Sequence, residues 1–121
     1  VAGVGWIEVA GSDDVAPGRV VAVEVGDRRL ALWRTEGGTV VACDARCPHQ
    51  WSDLGEVGEV DGEELVCVSH HWRFDTAGRG SKLSMAGRRD PKSDVGTLAV
   101  RERDGAIAVE VGGTTDPARV R

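Results

Sequence analysis

Apolar positions along this chain recur with a period of two, in short runs cut by glycine and by acidic residues followed by glycine. Residues 19–25 place Val21, Val23 and Val25 on one face, because successive side chains of an extended strand alternate sides. Residues 6–10 read as an earlier strand, ended by Gly11-Ser12-Asp13-Asp14, where Asp13 and Asp14 cap a short turn before the break at Pro17-Gly18. Residues 28–34 and 39–43 form two more strands joined through Glu36-Gly37-Gly38, a hairpin signal. Near the end, 97–103 and 106–111 flank Asp104-Gly105, a second hairpin. Between these lie two short strands at 64–68 and 71–75, in which Trp72 and Phe74 share one face and Arg73 is left to solvent on the other. Residues 56–64 carry five acids (Glu56, Glu59, Asp61, Glu63, Glu64) and no base; they read as a solvated loop with a hairpin tip at Asp61-Gly62. Residues 82–95 show no clean period, and 112–121 are polar, rich in turn formers and expected to fray. No helix of useful length is predicted.

With 121 residues the chain makes one domain, large enough for its own core without disulfides. A formal charge of −5 argues against a nucleic-acid surface and for a partner with a basic patch. No apolar run approaches the ~18 residues of a membrane span, so no membrane contact is expected. The expected location is the cytoplasm, where thiolates stay reduced.

Candidate chemistry is concentrated between Cys47 and Asp75. All three histidines (His49, His70, His71) and two of the three cysteines fall there. They include the pairs Cys47-Pro48-His49 and Cys67-Val68-Ser69-His70, with residues 50–66 between them. Two thiolates and two imidazoles serve either a tetrahedral zinc or a two-iron, two-sulfide cluster of mixed ligation. An all-cysteine cluster is excluded, because it needs four thiolates and only Cys43, Cys47 and Cys67 exist. Structural zinc usually takes Cys pairs and then His pairs, whereas each pair here is one Cys and one His. Cys43, on the strand entering the first pair, reads as a buried apolar residue rather than a ligand.

The motif C-x-H, a spacer of this length, and C-x-x-H followed by an aromatic pair and Asp75 resembles the Rieske iron–sulfur domain of Rieske-type ferredoxins and of the N-terminal domains of Rieske oxygenases. The resemblance implies that Cys47 and Cys67 ligate the buried iron of one [2Fe-2S] cluster, and His49 and His70 the outer iron. It also implies an all-β fold: an antiparallel β sandwich or barrel scaffold (1–45 and 92–112), an inserted cluster-binding subdomain of two ligand loops (46–91) and a tail (113–121). Trp51 and Leu54 are expected to cover the cluster from water. A further loop is expected to cover it from a third side; such loops are often proline-rich, and here only Pro91 stands in that region.

The sequence departs from that family at His71, where glycine commonly follows the second ligand histidine. If the backbone there needs a positive φ, a bulky residue costs on the order of 1 kcal/mol; otherwise His71 is surface filler. The extra cysteines that form a disulfide in the high-potential respiratory Rieske proteins are also missing, their places being taken by Trp51 and Ser69 or neighbours. In an acidic domain without that bridge, the midpoint potential is expected towards the lower end of the range of about −150 to +300 mV. Potentiometric titration checks this: a midpoint well above zero would contradict it.

Full cysteine–histidine ligation leaves no open iron position, and after His49 and His70 only His71 remains, too few for a mononuclear iron held by two histidines and a carboxylate. The chain is therefore expected to carry electrons without converting a substrate itself. The first expectation is a ferredoxin passing single electrons from a flavin-containing reductase to a terminal oxygenase. The alternatives are a small Rieske-like subunit of an assimilatory nitrite reductase or other multisubunit oxidoreductase, a piece of a longer multidomain chain, or a zinc-holding docking module.

Overall fold

The computed structural model describes residues 5–47, 53–68 and 71–111. In chain order the strands are β1 (Gly5–Gly11), β2 (Val20–Val25), β3 (Arg28–Arg34), β4 (Val40–Asp44), β5 (Gly58–Asp61), β6 (Glu64–Cys67), β7 (Trp72–Phe74), β8 (Gly80–Leu83), β9 (Arg89–Lys92), β10 (Thr97–Leu98), β11 (Val100–Arg103) and β12 (Ala106–Val111). A 3-10 turn (Ser12–Asp14) follows β1, and a one-turn helix α1 (Leu54–Val57) precedes β5. The strands form three antiparallel sheets ordered β1-β12-β11, β10-β4-β3-β2 and β5-β6-β7-β8-β9. Among the described residues no helix is long and apolar enough to cross a membrane.

The period of two explains the layering. Leu30 and Leu32 of β3 point to one side and pack with Val15, Ala42, Ile107 and Val109. Ala31 and Trp33 point to the other side and pack with Cys43, Leu65, Trp72 and Phe74. The β10-β4-β3-β2 sheet is therefore the middle layer, covered on both faces, and its central strand is apolar at four successive positions. Val21, Val23 and Val25 of β2 share the face towards Leu30 and Leu32, as their alternation predicts.

Both hairpin turns carry the residues their backbones demand. Asp104 (φ 53°) and Gly105 (φ 80°) both lie in the left-handed region, as a two-residue turn of type I′ requires. At the β5–β6 tip, Gly62 (φ 65°) takes the first of two turn positions between the paired Asp61 and Glu64. The strand expected at 97–103 is divided: β10 pairs with β4, and β11 pairs with β12. The break falls at Ala99, whose carbonyl accepts from Glu110 N–H at 3.0 Å, so the chain changes sheets there. Alternation runs unbroken through the change, which is why the sequence does not announce it.

Three further expectations are corrected. Residues 56–64 are not a loop but the end of α1, β5 and the start of β6, because Val57 and Val60 pack against the core. Nor are their acids simply solvated: Asp61 and Glu64 hold Arg73, Glu64 also holds Arg89, Glu56 reaches Arg29, and Glu63 accepts from Gly37 N–H. Arg73 is accordingly paired, not solvated. Residues 82–95, without a period, contain half of β8 and all of β9, stabilised by backbone pairing. Pro91 is tolerated because β9 is an edge strand.

Candidate metal centre

Cys47 and Cys67 are both fully buried and lie in one apolar cluster with Trp33, Leu54, Leu65, Phe74 and Val95. Neither is in a disulfide. Each stands at the root of a loop whose two ends are tied together. Arg46 and Asp53 form an isolated antiparallel bridge, and Leu54 N–H donates to Ala45 O at 2.5 Å, so residues 47–52 leave and re-enter at one place. In the second loop Cys67 is paired with Trp72, and His71 N–H donates to Cys67 O at 2.6 Å, which ties the two ends of that loop together.

Helix α1 joins the two loops. The Asp53 carboxylate caps it by accepting from Gly55 N–H at 2.8 Å, and at its other end the Val57 carbonyl accepts from Val68 N–H at 3.1 Å. One helical turn, roughly 6 Å at 1.5 Å per residue, thus sets the spacing between the base of the first loop and the start of the second. Gly58 lies directly opposite Cys67; a Cβ there would collide with the Leu54 carbonyl, so glycine is what lets β5 follow the helix this closely. Arg29 braces the same corner, with its guanidinium on Asp53, Glu56 and Glu24. Sequence reading did not single out Arg29, because its partners come from two separate stretches, β2 and the start of α1.

The third side is formed by residues 93–96. Val95 is buried in the same cluster as the two thiols, its N–H donates to Gly78 O at 2.8 Å, and Gly96 O accepts from Asp44 N–H at 2.8 Å. A covering loop was expected in this region, and it is built with Val95 rather than with prolines. Leu54 is fully buried beside the thiols, in keeping with a role in excluding water. An open cavity of about 600 Å³ lies on the first-loop side, where Arg28, Arg46, Cys47, Asp94 and Val95 line it.

His49, His70, Pro48, Trp51 and Ser69 lie outside the described residues. Cys43 is described: it is buried, and burial first and then the Asp44 charge push its thiol up to about 12, with a hydrogen bond from Trp33 acting the other way. It stays protonated and apolar at neutral pH, so Cys43→Ser is expected to leave iron content per chain unchanged. Metal analysis showing cluster loss would make it a ligand.

His71 has φ 63° and is exposed. The left-handed backbone that the sequence raised as a condition is present, imposed by the tight closure onto Cys67. His71→Gly should raise stability by about 1 kcal/mol, an upper figure because glycine also adds freedom to the unfolded chain. Denaturant titration of the cluster-loaded protein checks this; no gain would mean that the ring's own contacts offset the strain.

Two thiols that no solvent reaches, at the bases of two tied loops each followed in sequence by a histidine, fit a centre taking two cysteines and two histidines. A buried thiolate without a counter-charge would be strongly disfavoured, and a metal supplies one. The comparisons agree: the chain matches the Rieske [2Fe-2S] domain over residues 5–102 and belongs to that family. A domain of this family binds a [2Fe-2S] cluster and transfers electrons through it. The chain is 33% identical over 103 residues to the cholesterol 7-desaturase nvd of Bombyx mori, covering 85% of this chain and 23% of that protein. Its fold superposes on dicamba monooxygenase bound to dicamba with a TM-score of 0.76 at 27% identity, over 87% of this chain and 31% of the other. It also superposes on a chain in the complex of reduced oxygenase and oxidized ferredoxin in carbazole 1,9a-dioxygenase, with a TM-score of 0.69 at 27% identity, over 86% of this chain and 91% of that one. The chain thus spans about a quarter of that curated relative's length and nearly the whole of the last chain.

Proposed function

We propose that this chain is a one-electron carrier of the ferredoxin kind, taking electrons from a flavin-containing reductase and passing them to a terminal oxygenase, with Cys47, Cys67, His49 and His70 as cluster ligands. The observation that carries the reading is the pair of fully buried thiols at the roots of two loops tied by one turn of helix. When bound, the cluster accepts and releases single electrons. The chain's own residues do the rest. Cys47 and Cys67 supply the anionic ligands from the apolar side. Leu54, Trp72, Phe74 and Val95 keep water from that side, and Asp53, α1 and the His71–Cys67 hydrogen bond hold both loops in place so that little rearrangement accompanies a change of charge. The near-complete coverage of one chain in the oxygenase–ferredoxin complex supports a carrier of this size.

A second reading has its own support. The chain corresponds to a fraction of the desaturase and of the dicamba monooxygenase, as an electron-delivering domain of a longer oxygenase would. Two measurements on the purified chain decide. The first is the visible spectrum, with iron, acid-labile sulfide and zinc assayed on the same sample. Two irons and two sulfides per chain, with colour that bleaches on dithionite, establish the carrier; zinc without sulfide would overturn it in favour of a docking module. The second is gel filtration, where a monomer with a full cluster favours the free-standing ferredoxin, and aggregation or cluster loss favours the domain of a larger oxygenase.

A further inference from the structure

The five-stranded sheet has two ends of different character. Register places Cys67 beside Trp72, Trp72 beside Lys82 and Lys82 beside Asp90, so one row crosses the sheet from the buried thiol to β9. Because neighbouring strands are antiparallel, the turn at 68–71 and the turn joining β8 to β9 leave the sheet from the same end. With strands about 4.8 Å apart, Lys82 lies roughly 10 Å across the sheet from Cys67.

That second turn is well formed. Ser84 N–H donates to Arg88 O at 2.7 Å, Gly87 N–H to Ser84 O at 2.9 Å, and Arg88 N–H to the Ser84 hydroxyl at 2.9 Å. It holds Met85, the chain's one methionine, entirely in solvent, with Leu83 42% exposed beneath it and Val68 41% exposed on the neighbouring turn. These are three of the five large apolar side chains exposed among the described residues, and they share one end of one sheet. The charges of the β8–β9 hairpin itself are mostly positive, while Glu56 and Glu59 stand across the same end on α1 and β5. Lys82 has no partner among the described residues, and Arg88 and Arg89 stand against Asp90 and Glu64. The acids of the β5–β6 tip, Asp61 and Glu63, lie at the opposite end and are engaged by Arg73 and by Gly37 N–H. A chain of net charge −5 therefore turns a basic, apolar-tipped hairpin outward beside its candidate metal centre.

We propose that the β8–β9 hairpin is the docking element for this domain's redox partner, and that the partner presents an acidic rim around an apolar contact for Met85. The inference rests on the electron-carrier reading and reverses the partner charge that net charge alone suggests. Opposite charge at the hairpin steers the partner to the end nearest the centre, while repulsion from the rest of the surface disfavours other orientations. The unbranched Met85 side chain then adapts to the partner's contour.

The test is stopped-flow oxidation of the dithionite-reduced, cluster-loaded chain by two soluble haem proteins, an acidic cytochrome b5 and a basic cytochrome c. One electron leaves the reduced domain and one ferric haem becomes ferrous in each turnover. Expected are a rate constant with the acidic protein that falls as salt rises, and a loss of about tenfold at low ionic strength in Lys82→Glu, which salt erases. Met85→Asp should lose a similar factor with the acidic protein and keep it at high salt. Both side chains are exposed, so both variants should retain wild-type iron, sulfide and visible spectrum. Wild-type rates with the acidic protein in both variants would overturn the hairpin as docking element, and so would a faster, salt-sensitive reaction with the basic protein that neither variant alters. Absence of iron and sulfide in the wild-type chain would instead overturn the carrier reading itself, and the docking proposal with it.

Discussion

Replacing Cys67 with alanine is expected to give a colourless protein with no acid-labile sulfide and essentially no iron, and to lower its resistance to denaturant well beyond what a lost thiol in a core would do. Cys67 ends β6, is fully buried, and is fixed by pairing with Gly58 on one side and Trp72 on the other. Among the described residues no carboxylate joins Cys67 in its apolar cluster to replace the thiolate. Trimming a buried thiol to a methyl costs on the order of 1 kcal/mol by transfer alone. The larger part arises because a metal centre that binds only the folded chain contributes its binding free energy to folding. Iron and sulfide assays and urea titrations compare the variant with Cys43→Ser, which removes a thiol from the same cluster without removing a proposed ligand. A Cys67→Ala protein with wild-type iron would remove Cys67 from the ligand set.

The second large effect is expected at Arg34, far from the loops. Its side chain is 11% exposed and donates to Val15 O at 2.6 Å, Gly38 O at 3.0 Å and Ser12 O at 3.3 Å. It also grips the Glu102 carboxylate with two hydrogen bonds, at 3.1 and 2.7 Å. Arg34 belongs to the middle sheet, Glu102 to the β1-β12-β11 sheet, and Ser12 and Val15 to the turn after β1, so one guanidinium fastens two layers and the connection between them. Arg34→Ala strands three carbonyls and a carboxylate, and is expected to cost about 3 kcal/mol, read as a lower urea midpoint with iron content retained. A loss below about 0.5 kcal/mol, the level of an ordinary surface substitution, would mean that water replaces the guanidinium without penalty.

The same pair sets part of the acid limit. Hydrogen bonds from Arg34 and then Ser12 lower the Glu102 carboxyl from its ordinary 4.5 to about 2. A group held below its unfolded value contributes stability fully above pH 4.5 and loses it as pH falls towards 2. Glu102 is about one-third exposed, so water screens the interaction and the contribution is modest. Glu102→Gln should flatten that part of the stability–pH curve, with a modest loss of stability above pH 5 that shrinks as pH falls towards 2, as denaturant titrations across that range would show.

The period of two alone determined most of the scaffold. Val21, Val23 and Val25 on one face, Trp72 and Phe74 on another, and the Asp104-Gly105 turn could each be read from neighbours in the chain, because alternation and left-handed turn residues are local properties. The spacing of Cys47, His49, Cys67 and His70 singled out the candidate metal centre for the same reason, and its pattern raised a positive φ at His71 as a condition, which only the structure met. Tertiary structure decided what depends on distant partners. β8 and β9 exist because each completes the backbone hydrogen bonding of a neighbouring strand, whatever their side-chain pattern. Arg73, Arg29 and Arg34 found carboxylates and carbonyls many residues away, and the acids at 56–64 became ion-pair partners instead of a solvated loop. The joining of the two ligand loops through α1, and the placing of Met85 and Lys82 at the cluster end of the sheet, arise only when strands are laid side by side. Such relations are set by pairing register and layer order, which summed long-range contacts select and no single stretch of sequence specifies.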